Sequence, residues 1–290
     1  MPHPPRGPMT EPLPVLSILI PASNEEALIG ACLSAVLQSD WVHEGGVETV
    51  VISNGSQDRT AQTALRHQEE FARKSWCLRV LEREEGSKLG ALNAGDRVAR
   101  GAIRVYLDAD VEISERLLGN LYEALDTPRP RYASGQLNLF APRTWATRAY
   151  ARIYAQVPFM TQGVPGAGLF AVNAAGRRRW GAFPDIISDD TFVRLSFRPE
   201  ERVRVNAPYS WPLVEGWRNL VRVRRRQNAG VDEIKTRYPE LLENDDKPPY
   251  PAIEKVKQAF RDPVGFAVYA SVALAVRIKG SGRSGWSRGR

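Results

Sequence analysis

The sequence predicts an α/β protein built on a Rossmann-like, mostly parallel sheet flanked by helices, with a helical C-terminal extension. Three observations lead there. Four apolar runs of strand length recur in the first half of the chain, each run is continuous rather than alternating, and segments of helical periodicity lie between them. Continuous apolar runs suit strands covered on both faces, as in parallel sheets. Strand alternating with helix then implies right-handed crossovers.

The elements follow in order. Residues 1–14, "MPHPPRGPMTEPLP", hold six prolines and no apolar core of the signal-peptide kind, and are expected to form a disordered tail. "VLSILI" (15–20) is the first strand. In "EEALIGACLSAVL" the pairs Ala27/Leu28, Ala31/Cys32 and Ala35/Val36 recur every four residues and draw one apolar helical stripe. "VETVVI" (47–52) is the second strand. "SQDRTAQTALRHQEEFA" reads as a helix with Ser56 as N-cap and Asp58 in its first turn. "LRVL" (78–81) and "AIRVYL" (102–107) are strands three and four, followed by the helical "SKLGALNAGDRVA" and "SERLLGNLYEAL" respectively.

The second half is less regular. "YASGQLNLF" (132–140) reads as a strand, "WATRAYARIYAQVPFM" (145–160) as one helix, "GAGLFAVN" (166–173) as a Gly-led strand, "SDDTFVRLSF" (188–197) as a helix start and "RVRVN" as a short strand. "GWRNLVRVRRRQNAG" is a basic helix expected to end at Gly230 as its C-cap, and "ENDDKPPYPAIE" reads as a linker. The expected organisation is a tail (1–14), a main domain (15–230) and an extension (231–290) of linker, apolar helix and basic end.

Composition narrows the chemistry. With 43% hydrophobic and 25% charged residues in 290, the chain is an ordinary globular protein. Two cysteines, Cys32 and Cys77, make no disulfide framework, so a reducing, cytoplasmic setting is expected. His3, His43 and His67 are not at ligand spacing, which argues against zinc. The net charge of +7 is clustered: five arginines lie from Arg218 to Arg226, and five basic residues with no acid lie from Arg277 to Arg290. Such clusters fit a solvated face, an anionic membrane surface or a phosphate-bearing substrate. No nucleic-acid-binding signature accompanies them, so nucleic acid is not an expected partner.

In open α/β sheets ligands bind at the carboxyl ends of the strands. There the sequence places "PASNEE", "SNGSQD", "REEGSK" and "DAD". Asp108 and Asp110 end the fourth apolar run. Residues two apart on an extended segment point the same way, so both carboxylates face one spot. That suits Mg2+ or Mn2+, which takes one or two carboxylates and completes its shell with phosphate and water.

Taken together, "LSILIPASNEE", "VVISNGSQDRT", "GSKLGALNAG", "VYLDAD", "GAGLFAVN" and "ISDDTFVRL" resemble, in order and over roughly residues 15 to 230, the family 2 nucleotide-sugar glycosyltransferases. The resemblance implies a GT-A fold, a nucleotide-diphosphate-sugar donor, inversion at the anomeric carbon, and a setting in bacterial cell-envelope or exopolysaccharide assembly. It places Pro21, Asn24 and Glu25 in the loop that holds the nucleoside. Asn54 stands where the family usually has an aspartate that contacts the base; an amide donates as well as accepts, so a guanosine donor stands beside the usual uridine one. Lys88 and Asn93 match the "GK" and "ALN" positions on the donor side. Asp108 would face ribose and metal, and Asp110 would be the principal metal ligand. Asp189 matches the acidic residue beside the acceptor and sugar, and Asp190 the catalytic base. Gly166 and Gly168 would bring backbone close to the acceptor or sugar. The processive Q-x-x-R-W motif is broken in "RVRRRQNAG", but Arg226 remains to grip the diphosphate.

A helix N-terminus tends to lower a carboxylate's pKa, so Asp190 must be dried by its site to act as a base near neutral pH. At the C-terminal end, thirteen uncharged, mostly apolar residues lie between Pro263 and Arg277. A bilayer span needs about twenty. The segment reads as a packed helix or an interfacial one, the latter with Lys279, Arg283, Arg288 and Arg290 near anionic headgroups. A saccharide or lipid-linked acceptor is the expected second substrate. Two other readings compete with a single-sugar transferase: a sugar nucleotidylyltransferase, whose Gly-rich loop is absent after strand one, and a non-catalytic membrane-associated binding protein, which would not need Asp110 and Asp190.

Overall fold

The computed structural model describes residues 14–278; residues 1–13 of the expected N-terminal tail and the basic residues from Lys279 onward lie outside them. Eight strands form one mixed sheet: β1 (Leu16–Ala22), β2 (Val47–Asn54), β3 (Cys77–Arg83), β4 (Ile103–Leu107), β5 (Glu112–Ile113), β6 (Tyr132–Leu139), β7 (Leu169–Val172) and β8 (Arg202–Trp211). Their spatial order is β3-β2-β1-β4-β7-β6-β8-β5. The first four strands in that order are parallel, β7 runs antiparallel to β4 and β6, and β5 runs antiparallel to β8. The chain works outward from β1 to β3, then returns to the other side of β1 with β4. The crevice for ligand therefore opens over the carboxyl ends of β1 and β4.

The apolar runs fill two cores at once. Leu16, Ile18 and Ile20 of β1 face the layer of α1 (Ile29–Leu37) and α5 (Leu117–Leu125). Leu19, with Val50 and Ile52 of β2, faces α4 (Lys88–Val98) and α9 (Asp189–Leu195). Period-two alternation inside a continuous apolar run sorts side chains to both sides of the sheet. The buried Glu48 of β2 is tied by Ser17 Oγ–H at 2.6 Å and by Arg100 N–H at 2.6 Å.

Four local expectations are corrected. Ser56 caps no helix: its hydroxyl accepts from Asn24 N–H at 3.2 Å, and the next helices are two short ones, α2 (Thr60–Leu65) and α3 (Gln68–Arg73). The single helix expected over 145–160 is broken into α6 (Trp145–Tyr154) and α7 (Pro158–Gln162), because Pro158 forces Val157 into extended backbone. The short strand "RVRVN" is ten residues long; Pro208 is accommodated next to an irregularity in its pairing with β6. The basic helix α10 (Trp217–Arg237) runs through Gly230. Gly230 is buried against Ser188, and a Cβ there would lie 3.0 Å from Ser188 Cβ, so it is a close-approach residue rather than a cap.

After α8 (Ala174–Arg177), α9 and α10, the chain does not run free. Asp245 and Asp246 pair with Arg194 of α9 at 2.7 and 2.8 Å, and Asp246 also with Arg202 of β8 at 2.5 Å. These ion pairs strap residues 245–250 across the domain. Then α11 (Ala252–Arg261) leads into α12 (Pro263–Ile278), which packs on α6 and α10 through Val272, Tyr150, Leu220 and Val221. Arg152 grips Asp262 with two hydrogen bonds at 2.6 and 3.0 Å at the start of α12. The apolar C-terminal segment is thus a packed helix on one face. The helix α11 is inverted: Ile253, Val256 and Phe260 are 60%, 49% and 84% exposed, while Gln258 is buried. No helix among the described residues is long and apolar enough to cross a membrane.

Candidate active site

One cavity of about 1430 Å³ lies over the carboxyl ends of the strands and extends beneath α10 and the strap. Pro21, Asn24, Glu25, Asn54, Lys88, Asp108, Asp110, Gly166, Gly168, Asp189, Asp190 and Arg226 all line it. Asn93 does not: its Nδ2–H donates to Phe183 O at 3.1 Å and its Oδ1 accepts from Phe183 N–H at 2.7 Å. Its amide clamps the approach to α9 and does not line the cavity.

The loop after β1 is built by its neighbour after β2. Asn24 takes the left-handed region (φ 52°), and its Oδ1 accepts from Gln57 N–H at 2.6 Å. Glu25 N–H donates to Thr60 Oγ1 at 2.8 Å. Asn54, buried at the end of β2, accepts from Ser87 N–H at 3.0 Å, and Ser87 caps α4 by accepting from Gly90 N–H. Asn54 therefore fixes the start of the helix whose first residue is Lys88. With one lone pair of its carbonyl so engaged, its Nδ2–H donors remain for a ligand.

At the end of β4, Ala109 turns into the core while Asp108 and Asp110 face the cavity. Asp108 N–H donates to Gly168 O at 2.8 Å, which ties the acidic turn to the glycine segment before β7. Gly168 has φ 73°, and a Cβ there would lie 2.6 Å from Trp211 Cδ1; at Gly166 (φ 68°) it would strike the Tyr132 hydroxyl. Both positions require glycine.

A lysine links the two acidic segments. Lys88 Nζ lies 3.0 Å from Asp108 Oδ1 and 3.2 Å from Asp189 Oδ2. Burial alone would push this ammonium down, but Asp108, Asp189 and Asp190 outweigh it and hold it above the usual lysine range. Asp190 sits one residue into α9, its Oδ1 accepting from Thr191 N–H at 2.7 Å. Burial and the neighbouring Asp189 raise its pKa to about 6, against the lowering by Lys88 and the Thr191 N–H. The drying that a base requires is present, and it outweighs the helix N-terminus.

The acidic turn also suits a divalent cation. Behind it lies Cys32, whose Sγ is 3.8 Å from Asp108 O. Burial, and after it the charges of Asp110, Asp108 and Glu112, hold the thiol far above its usual range. No group of three or more metal-ligating side chains occurs among the described residues. Hard oxygen donors in a pair, facing an open cavity, fit an ion that shares its shell with a phosphate ligand.

Several contributors escaped the sequence reading. Trp211, the aromatic wall of Tyr154, Phe159 and Tyr269, and the strap residues Lys247 to Tyr250 also line the cavity. Trp211 extends a strand whose visible pattern stopped at Asn206. The strap carried only a turn-like composition, which is the same whether a segment is loose or tied down.

Comparison with known proteins bears on this geometry. Residues 17–180 match the family model described as "Glycosyl transferase family 2". The glycosyltransferase AglE of Haloferax volcanii is 36% identical over 103 residues, 35% of this chain and 32% of that protein. A dolichyl-phosphate beta-glucosyltransferase of Drosophila melanogaster is 36% identical over 101 residues, 33% of this chain and 30% of that one. The matched stretch thus spans less than a third of these relatives' own length. Among solved structures, the mannosyltransferase PcManGT from Pyrobaculum calidifontis, in complex with GDP-Man and Mn2+, superposes with a TM-score of 0.58 at 22% identity, covering 93% of this chain and 76% of that one. That likeness fixes the fold as the GT-A type.

Proposed function

The chain belongs to glycosyl transferase family 2, and from that premise we propose that it moves one sugar from a nucleotide-diphosphate sugar to an acceptor hydroxyl, with inversion at the anomeric carbon. The observation that carries this is Asp190: a carboxylate tuned to about 6, in the same cavity as the acidic turn and Lys88. Inversion in one displacement needs a base on the face opposite the leaving group, and a pKa near 6 leaves Asp190 ionised at neutral pH yet basic enough to accept a proton.

Asp108 and Asp110 would hold Mg2+ or Mn2+, which when bound neutralises charge on the departing nucleoside diphosphate. Lys88 and Arg226 place positive charge on the same group, and the loops of Asn24 and Asn54 seat the nucleoside. Asn54 N–H donors suit a base carbonyl, whether of uracil or guanine. The test is release of nucleoside diphosphate from UDP-, GDP- and dTDP-sugars with Mg2+, Mn2+ or EDTA, over a membrane-lipid acceptor extract. Release from one donor is expected, abolished by EDTA and reduced at least about a hundredfold in Asp110→Ala. A folded protein that neither releases nor binds any nucleotide would refute the transferase reading.

The acceptor side points to a lipid-linked saccharide and to work at the inner face of an anionic membrane, as in cell-envelope assembly. The inverted α11 supports this, because its outward stripe of Ile253, Val256 and Phe260 is flanked by Lys255, Lys257 and Arg261. Apolar side chains with basic flanks match an anionic lipid surface. Wild-type protein should float with vesicles carrying anionic lipid, and a Val256→Glu/Phe260→Glu variant should stay at the bottom of the gradient. Equal flotation of the two would remove α11 from the interface.

A further inference from the structure

The far part of the cavity holds a cluster that the donor reading leaves without a role. Its wall is aromatic, with Tyr154 from α6, Phe159 from α7, Tyr250 from the strap and Tyr269 from α12. Two cations face it. Arg224 Cζ lies 5.7 Å from the Tyr154 ring centre, and Lys247 Nζ lies 5.4 Å from that of Phe159. Neither has a carboxylate at ion-pair distance among the described residues. The nearby acids are already engaged: Asp245 and Asp246 hold Arg194 and Arg202, and Glu215 accepts from Arg143 N–H at 2.7 Å and Thr144 N–H at 3.0 Å.

Partial burial, with Arg224 and Arg194 close by, holds the Lys247 ammonium below the usual lysine range, and Asp245 offsets this only in part. Burial would lower Arg224, but Tyr150, Tyr154 and Tyr269 hold it above the usual arginine range, and its Nη1–H donates to Gln227 Oε1 at 3.2 Å. Lys247 is still exposed to solvent on the strap, so the cluster offers an anion two cations that no carboxylate among the described residues occupies. Asp190 lines the same cavity as this cluster.

We propose that Arg224 and Lys247 form an anion subsite for a phosphate that links the acceptor saccharide to its carrier. The inference rests on the transferase reading and names the acceptor's chemistry. Arginine's planar fork and lysine's point charge both suit phosphate oxygens. With phosphate held there, the saccharide hydroxyl reaches toward Asp190 and an apolar carrier lies along Tyr154, Phe159 and Tyr269. Both cations lie beyond residue 180, where the family match ends, Arg224 on α10 and Lys247 on the strap.

Calorimetry on the full chain tests this with farnesyl phosphate, farnesol, glucose 1-phosphate and a nucleoside diphosphate as separate titrants. Farnesyl phosphate should bind at least about tenfold tighter than farnesol, and Lys247→Gln should remove about tenfold of that affinity. Lys247→Glu should erase the preference for phosphate, while nucleoside diphosphate affinity stays within about twofold. Glucose 1-phosphate binding as tightly as farnesyl phosphate supports the subsite and assigns a soluble phosphate as its source; weaker binding supports it and assigns the lipid. Equal affinity for farnesyl phosphate and farnesol in the wild type overturns the proposal. So does a parallel loss of nucleoside diphosphate affinity in the variants, which would give these cations to the donor. If wild-type protein binds farnesyl phosphate but no nucleoside diphosphate, the transferase reading fails and the subsite stands.

Discussion

Asp190→Asn is expected to lower turnover about 10²- to 10⁴-fold while leaving nucleoside diphosphate affinity unchanged, because it removes the proton acceptor and keeps the shape. The wild-type rate should be flat above neutrality and fall as pH drops through about 6, where Asp190 takes up its proton. The variant's residual rate should lack that limb. Stability gives a second, opposite readout. Burial raises the folded-state pKa of Asp190 above its unfolded value, so its contribution to stability is fully present at low pH and is lost as pH rises through about 6. Asp190→Asn should therefore melt above wild type at pH 8, with the gap closing toward pH 4. A variant that is both slower and less stable at pH 8 would mean that Asp190 is a structural acid.

Removal of Lys88 should be nearly as severe, and by a different route. Lys88 holds Asp108 and Asp189 at 3.0 and 3.2 Å and lowers the pKa of Asp190. In Lys88→Gln the three carboxylates lose the ammonium they share. The Asp190 pKa then climbs, and the acid limb of the kcat/KM profile should move up by about one to three pH units. Activity at pH 7 falls both because the base is protonated and because the donor diphosphate loses a cation. Measuring the profile separates the two: a limb that stays near 6 with a lower plateau would leave Lys88 a role in donor binding alone. Raising the pH should partly rescue the rate in Lys88→Gln and not in Asp190→Asn.

Much of the cavity's strand-end rim was legible because its signals are local. A strand buried on both faces must be apolar along its length, so β1, β2 and β4 stand out, and the residues just past them could be named as the rim. Asp108, Asp110, Asp189 and Asp190 sit in short motifs whose residue types state their chemistry. The rest depends on partners far apart in the chain. Nothing around Asn93 says that its amide clamps Phe183, 90 residues away. Gly230 looks the same to local pattern whether it ends a helix or lets two helices touch. The strap of Asp245 and Asp246 reads as a linker until Arg194 and Arg202 are seen to hold it. The outward stripe of α11 has ordinary helical spacing, and only the fold reveals which side of it faces away.

The contact of Gly230 with Ser188 carries a consequence for how such a protein can diversify. Ser188 immediately precedes the two aspartates of α9, and Gly230 lies in the middle of α10, both beyond the stretch that matches the family. The seat of the proposed base is thus set by a contact between two segments that both lie beyond the family match. Recombining the chain beyond residue 180 between relatives would carry over Arg224, Lys247 and the alignment of Asp190 as one inherited unit, while Tyr154, Phe159 and the strand-end loops stay with the first segment. New acceptor preferences could then arise by exchange of a single contiguous segment, and a residue larger than glycine at position 230 would mark where such an exchange fails.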